Sequence, residues 1–386
     1  MSFDGGLRIT LHPNRSGPAR AVIDSQRMVG ASRMLVGKPV EQLLALLPKL
    51  FVVCGVAQSV AAARAVEGFR GVAPSPAMAA QRNRLVALES IKEHLWQILL
   101  QWPPLLGKQA QQATMAQAAK QYLKLSMLLR DGKSPMQPGA EGDIANLDAA
   151  AWTPLLGILR ETVFGVELEE WLTFHHLQKI VHWNDAVETL GAAMASAALH
   201  IAPSGWGQSG VGPLPTLSAQ ELAPLMSDSD FIARPRWRGA CYESSALTRT
   251  RSALLEEASR YGNDQLTRVL ARLTEMAQLA LALRDGDDAR LQALTPDVGA
   301  QPQGYGVGVV EAARGRLAHR VKLDGEVSLD YAILAPTEWN FHPDGAAAQT
   351  LASLRGDAES LQRWATLAIY AIDPCVGFEL KVAPDA

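Results

Sequence analysis

From residue 266 the chain places apolar side chains at Leu266, Val269, Leu273, Met276, Ala280 and Leu283, then stops at Asp285-Gly286. Steps of three and four put all six on one helical face, and the Asp-Gly pair is a stop signal, so the segment predicts a buried helix. A helix that must be buried along such a length needs other elements to cover it. Two further stripes can do so. Leu85, Leu88, Leu95, Ile98 and Trp102 share a face that Pro103 terminates, and Met115, Ala118, Tyr122, Leu125 and Leu129 share one that ends at Asp131-Gly132. A fourth helical stretch is expected from about Leu168 to His200, followed by a Gly/Pro/Ser-rich loop over Pro203 to Ser218.

The period changes to two at both ends of the chain. Leu7, Ile9 and Leu11 alternate before the turn-rich Pro13 to Pro18 and the apolar Ala21 to Ile23, which reads as a hairpin. After a second loop, Thr295 to Gly306, Leu317, His319, Val321 and Leu323 alternate up to Asp324-Gly325, and Val327, Leu329, Tyr331 and Ile333 alternate back. Neither internal repeat nor low-complexity tract is present. The expected fold is therefore mainly α with small β-hairpins (α+β), in one domain over residues 1–386 whose ends meet.

With 48% hydrophobic residues, 19% charged and a net charge of −3, the composition is that of a soluble globular protein. It lacks the basic excess that nucleic acid or a membrane surface would favour, so neither is expected as a partner. Met1 to Pro13 has no secretory pattern, and Lys49 and Arg64 interrupt the apolar run Val40 to Val66, against membrane insertion and for a cytoplasmic location.

Three cysteines, Cys54, Cys241 and Cys375, lie far apart with no CxxC, so a metal site would need distant residues to converge. Cys54 follows Leu50 to Val53 and precedes Gly55 and a helix through Val60 and Ala63, which would place its sulfur near a helix amino terminus, where the dipole favours thiolate. The plain alternative is a small buried hydrophobe. Cys375 sits in Asp373-Pro374-Cys375-Val376-Gly377-Phe378, and Cys241 reads as packing. His175 and His176 are adjacent and point to different faces, and His182 lies nearly two turns from His175, so exposure or partner contact is the expected fate.

Taken in chain order, several segments resemble landmarks of the nickel-iron hydrogenase large subunit. Arg8-Ile9-Thr10-Leu11-His12 resembles RIEGH, Cys54-Gly55-Val56-Ala57 resembles CGIC, and Arg236 to Arg249 resembles PRxxGxxxEVGPLAR with Glu243, Leu247 and Arg249 matching. Glu311 to Gly315 resembles EAPRG, Pro336 to Asn340 resembles PTTWN, and Asp373-Pro374-Cys375 resembles DPCxxC. The resemblance implies a large-subunit-like helical domain, and the departures imply a silent one. The bridging second cysteines of the family are Ala57 and Phe378 here, the histidine of CGICxxxH is Ala61, and the glutamate of RIEGH is Thr10. Hydrogen turnover and bound nickel are therefore not expected. Lys381 stands where the family's carboxy-terminal processing site would lie, so nickel-triggered cleavage is not expected either.

What the resemblance leaves is the iron side. In the family the EAPRG arginine and the hydroxyl residue after the PTTWN proline face iron-bound cyanides; these are Arg314 and Thr337 here, with Pro336 shaping the pocket and Cys54 and Cys375 as thiolate ligands. The implied role is that of a HupK/HoxV-type assembly scaffold carrying iron with cyanide and carbon monoxide ligands. Its implied partners are hydrogenase maturation proteins, above all the small chaperone of the large subunit, with the large subunit itself a further candidate. The other reading is a metal-free mimic of the large subunit that recruits those chaperones. An enzyme using Cys54 as nucleophile lacks a motif-placed base.

Overall fold

The computed structural model describes residues 5–14, 17–27, 29–200, 205–294 and 304–383. The elements that matter for the site are β1 (Leu7–His12), β2 (Arg20–Ser25), α1 (Val40–Leu50), α2 (Gly55–Arg70), α3 (Pro76–Trp96) and α4 (Gln112–Arg130). After them come α5 (Gln265–Asp285), β3 (Gly306–Ala312), β4 (Gly315–Asp324), β5 (Val327–Leu334), α6 (Pro336–Asn340), α7 (Ala358–Ile372) and β6 (Phe378–Val382).

Helix α5 is the predicted buried helix. Its amino end is capped by Asp264, whose carboxylate accepts from Thr267 N–H, and it ends on Gly286 in the left-handed region at φ 67°. It is buried on all sides, not only along the apolar stripe, so Arg268, Arg272 and Glu275 are enclosed too. A buried charge must be paired. Arg268 pairs with Glu243, Arg272 with Asp373, and Glu275 with Arg249. The central helix therefore ties the segment before it to the end of the chain.

The expected helix over Leu168 to His200 is instead three helices, Leu168–Trp171, Leu177–Ala186 and Leu190–Leu199. Aromatic packing makes the bends. Trp171 stacks against Phe164, Phe174 and Trp183, whose indole N–H donates to Phe164 C=O, and Thr189 caps the last helix through Ala192 N–H. His175, His176 and His182 are exposed, with His176 against Glu257 and His182 against Gln178.

Both hairpins form, with Ile9 opposite Ile23 in the first and Val321 opposite Tyr331 in the second. Each gains a third strand that alternation did not mark. Strand β3 pairs antiparallel with β4, and β6 pairs parallel with β1, Leu7 opposite Phe378. The run Val40 to Val66 divides into α1 and α2 at Phe51–Cys54. The segment Val52–Arg70 is long and apolar enough to cross a membrane, yet most of it is buried inside the protein, as a core helix is. It lies directly on β3: a Cβ at Gly308 would come 2.0 Å from Ala61 C=O. Residues 203–204 and 295–303 of the two expected loops lie outside the described residues.

Candidate functional site

Strand pairing between the two ends of the chain builds the site. Leu7 N–H donates to Gly377 C=O at 3.0 Å, which fixes the Asp373–Gly377 turn beside β1. On the other side, α1 ends at Leu50 and the chain turns through Phe51–Cys54 into α2, so Cys54 becomes the residue capping α2. The two sulfurs then line one cavity, together with Arg27, Gln58, Ala313, Arg314 and Pro336. Four of the five sequence-nominated residues converge there. The fifth, Thr337, touches Cys375 directly: its hydroxyl donates to Sγ at 2.9 Å and accepts from Cys375 N–H at 3.1 Å. Pro336 sits at the first position of α6, where its ring costs no hydrogen bond.

The cavity between the cysteines measures about 30 Å³, room for a water or two. A larger open groove runs along the far side of Cys375, lined by Val53, Trp96, Arg314, Tyr370, Asp373 and Phe378. Arg314 borders both spaces. It is buried with Nε on Asp373 at 3.1 Å and Nη1 on Glu93 at 3.0 Å. Burial works against its charge, but Asp373 and Glu93 more than offset it and raise its pKa above the ordinary guanidinium value. Asp373, at φ 69°, also faces Arg272 and accepts from Gln97 at 3.0 Å.

Position at a helix start does not make Cys54 a ready thiolate. Burial pushes its thiol up to about 12, with the charges of Glu89 and Cys375 adding to the rise and the Gln58 amide and Arg314 working against it. The reason the dipole fails to help is Glu89. Its carboxylate occupies the amino end of α2, accepting Val56 N–H at 2.8 Å and Ala57 N–H at 2.9 Å. Burial in turn lifts Glu89 to about 7 despite those two bonds.

Sequence reading missed Arg27, whose Nη1 donates to Cys375 Sγ at 2.7 Å while Nε pairs with Glu338 at 3.1 Å. It also missed Glu89, Glu93 and Asn340. Asn340 accepts from Ser244 N–H and donates to the carbonyls of Ser244 and Arg314, so one side chain binds the Arg236–Arg249, EAARG and PTEWN segments together. The sequence signal for Asn340 is its place at the end of the PTTWN-like stretch; its role shows only in the fold. Cys241 lies apart, against His342 Nδ1 at 3.3 Å. Among the described residues no cluster of three His, Cys, Asp or Glu could hold a metal ion, so a metal held by Cys54 and Cys375 would need ligands of its own or a partner's.

This fold is that of the nickel-iron hydrogenase large subunit. The chain superposes on an NAD+-reducing nickel-iron hydrogenase in its hydrogen-reduced state with a TM-score of 0.59, at 19% identity over 97% of this chain and 96% of that one. It superposes on the reduced, active nickel-iron-selenium hydrogenase of Desulfomicrobium baculatum with a TM-score of 0.57, at 14% identity over 94% and 95%. The family model for nickel-dependent hydrogenase matches residues 235–361. More specific are the curated relatives. The hydrogenase expression/formation protein HoxV of Cupriavidus necator is 33% identical over 94% of this chain and 92% of its own. The hydrogenase expression/formation protein HupK of Azotobacter vinelandii is 31% identical over 91% and 90%. The chain belongs to this HoxV/HupK family of hydrogenase expression/formation proteins.

Proposed function

We propose that this chain is a cytoplasmic assembly scaffold that takes up the iron of the nickel-iron centre with its cyanide and carbon monoxide ligands, holds it through Cys54 and Cys375, and passes it on. The observation that carries this reading is the convergence of two cysteines from opposite ends of the chain on one cavity, with hydrogen-bond donors already aimed at the Cys375 sulfur. Two donors at the Cys375 sulfur fix its orientation as a ligand, and soft thiolates suit low-spin iron. The cavity is too small for iron with three diatomic ligands, so the cargo enters from the groove side of Cys375, where Arg314 borders both spaces.

The bridging positions of the catalytic family are filled by Ala57, 1% exposed with its N–H bound to Glu89, and by Phe378, the first residue of β6. Neither carries sulfur, so nickel has no bridge to iron and hydrogen is not turned over. The partners that fit a transient iron carrier are maturation proteins, chiefly the small chaperone of the large subunit, and the large subunit as acceptor.

Infrared spectra in the cyanide and carbonyl stretching region, with iron content, test this on protein purified without oxygen from a host expressing the maturation proteins. Iron with both kinds of band is expected in the wild type, and neither in Cys54→Ala or Cys375→Ala. A double cysteine variant that still supports full hydrogenase maturation would sink the carrier reading. One observation favours the second reading, a metal-free mimic that recruits chaperones: two of the three guanidinium nitrogens of Arg314, Nη1 and Nε, are already paired with Glu93 and Asp373.

A further inference from the structure

Hydrogen bonds continue inward from Cys54. Gln58 stands one turn along α2, and its Nε2 approaches Cys54 Sγ at 3.5 Å. Its Oε1 lies 2.7 Å from His319 Nε2, and His319 Nδ1 lies 2.7 Å from the Tyr331 hydroxyl. His319 and Tyr331 belong to the β4–β5 hairpin, with their rings edge to face at 5.6 Å, and both are buried. None of the chemistry described so far uses them.

The direction of the chain follows from what each atom can do. An amide oxygen only accepts, so His319 Nε2 must carry its proton and donate to Gln58 Oε1. Burial lowers the His319 pKa to about 3, which leaves the ring neutral and Nδ1 an acceptor. Tyr331 O–H then has to donate to Nδ1. With the Gln58 oxygen spent on His319, its N–H₂ is turned toward the sulfur. Every donor points the same way.

We propose that Tyr331, His319 and Gln58 are positioning residues that aim one N–H at the Cys54 sulfur and so set how strongly that sulfur donates to a bound metal. Such outer partners fix the ligand's orientation and tune its basicity. The orienting part stands on this geometry alone; the tuning part rests on the reading of Cys54 as an iron ligand. Ala61, at the position of the histidine in the family's CGICxxxH pattern, lies one turn further along α2.

Selective ¹⁵N-histidine labelling separates the two parts. The chain has eight histidines, and His319 is assigned by comparison with His319→Gln. In metal-free wild type we expect a neutral His319 protonated on Nε2. In Gln58→Leu the proton should move to Nδ1, and in Tyr331→Phe the Nδ1 resonance alone should shift. A His319 protonated on Nδ1 in the wild type, or a tautomer indifferent to Gln58→Leu, overturns the relay. On iron-loaded protein, Gln58→Leu should move the carbonyl stretch to lower wavenumber, because a sulfur without its N–H donates more electron density, whereas Gln58→Glu, protonated and still a donor at low pH, should restore it there. Unchanged bands with normal iron content overturn the tuning. If the wild type shows no bands, it is the iron reading that has failed, and the tautomer result still decides the relay.

Discussion

Thr337 and Cys375 close a two-bond ring, the hydroxyl donating to the sulfur and accepting from the N–H of the same residue. One hydroxyl therefore fixes both the sulfur and the backbone that carries it. Thr337→Val is isosteric and removes both bonds, leaving a partly buried N–H unmet. We expect a loss of about 1–3 kcal/mol in urea denaturation and lowered iron occupancy, with Thr337→Ser close to wild type in both. Equal stabilities for the Val and Ser variants would show that the ring contributes nothing.

Glu89 gives the protein a distinctive response to pH. Its carboxyl is raised by burial from 4.5 to about 7, so between those values the folded state holds a proton that the unfolded chain has released. Stability then falls as pH rises through this window and levels off above 7. The full effect is about 3 kcal/mol, and Glu89→Gln should remove it. His319 slopes the opposite way over part of the same range, being lowered to about 3. The test is therefore the wild-type-minus-variant difference in unfolding free energy between pH 4.5 and 7.5; a flat difference refutes the assignment.

Legibility in the sequence followed the range of the interaction. Period makes the stripe of α5 and the two hairpins visible, and local motifs single out Cys54, Cys375, Arg314, Pro336 and Thr337, which the fold brings together. Strand β3 was not visible, because Gly306 and Gly308 occupy two of its alternating positions; their missing side chains let α2 lie on the strand and also erase the pattern. Strand β6 is five residues of intermediate burial alternating with exposed ones, and its pairing with β1 is parallel across almost the whole chain. Arg27 and Glu89 are single charged residues in no motif. Only the fold brings one to the Cys375 sulfur and the other to the start of α2.

Gly315 tests the EAARG-like turn. It sits at φ 127°, and a Cβ there would meet Ser244 C=O at 1.9 Å and Pro336 Cβ at 2.9 Å. Alanine is strained in that conformation and collides with the backbone that Asn340 holds. Gly315→Ala should cost about 2–4 kcal/mol in urea denaturation, as expected for overpacking with backbone strain, and should reduce iron retention by displacing Pro336. A change under about 0.5 kcal/mol, the range of a neutral surface substitution, would mean that the turn relaxes freely.

Arg314 is where the structure changes an expectation most. A guanidinium whose only task is to grip cyanide could be removed with loss of iron and no loss of fold. Here its Nε and Nη1 neutralise Asp373 and Glu93, all three being buried. Arg314→Ala would leave two carboxylates without their shared partner, a change that typically costs about 3–5 kcal/mol. Asp373 would keep Arg272, and Glu93 would keep Lys92, so the lower half of that range is expected. The variant that isolates ligand contact is Arg314→Lys, which keeps the charge for the carboxylates but loses the forked donors. We expect Arg314→Ala to lower the urea midpoint sharply, and Arg314→Lys to hold most of the stability while shifting the cyanide bands. If Arg314→Ala unfolds at the wild-type midpoint, the buried network is not what holds the DPC turn. If Arg314→Lys leaves the cyanide bands where they were, the arginine serves the fold and not the cargo.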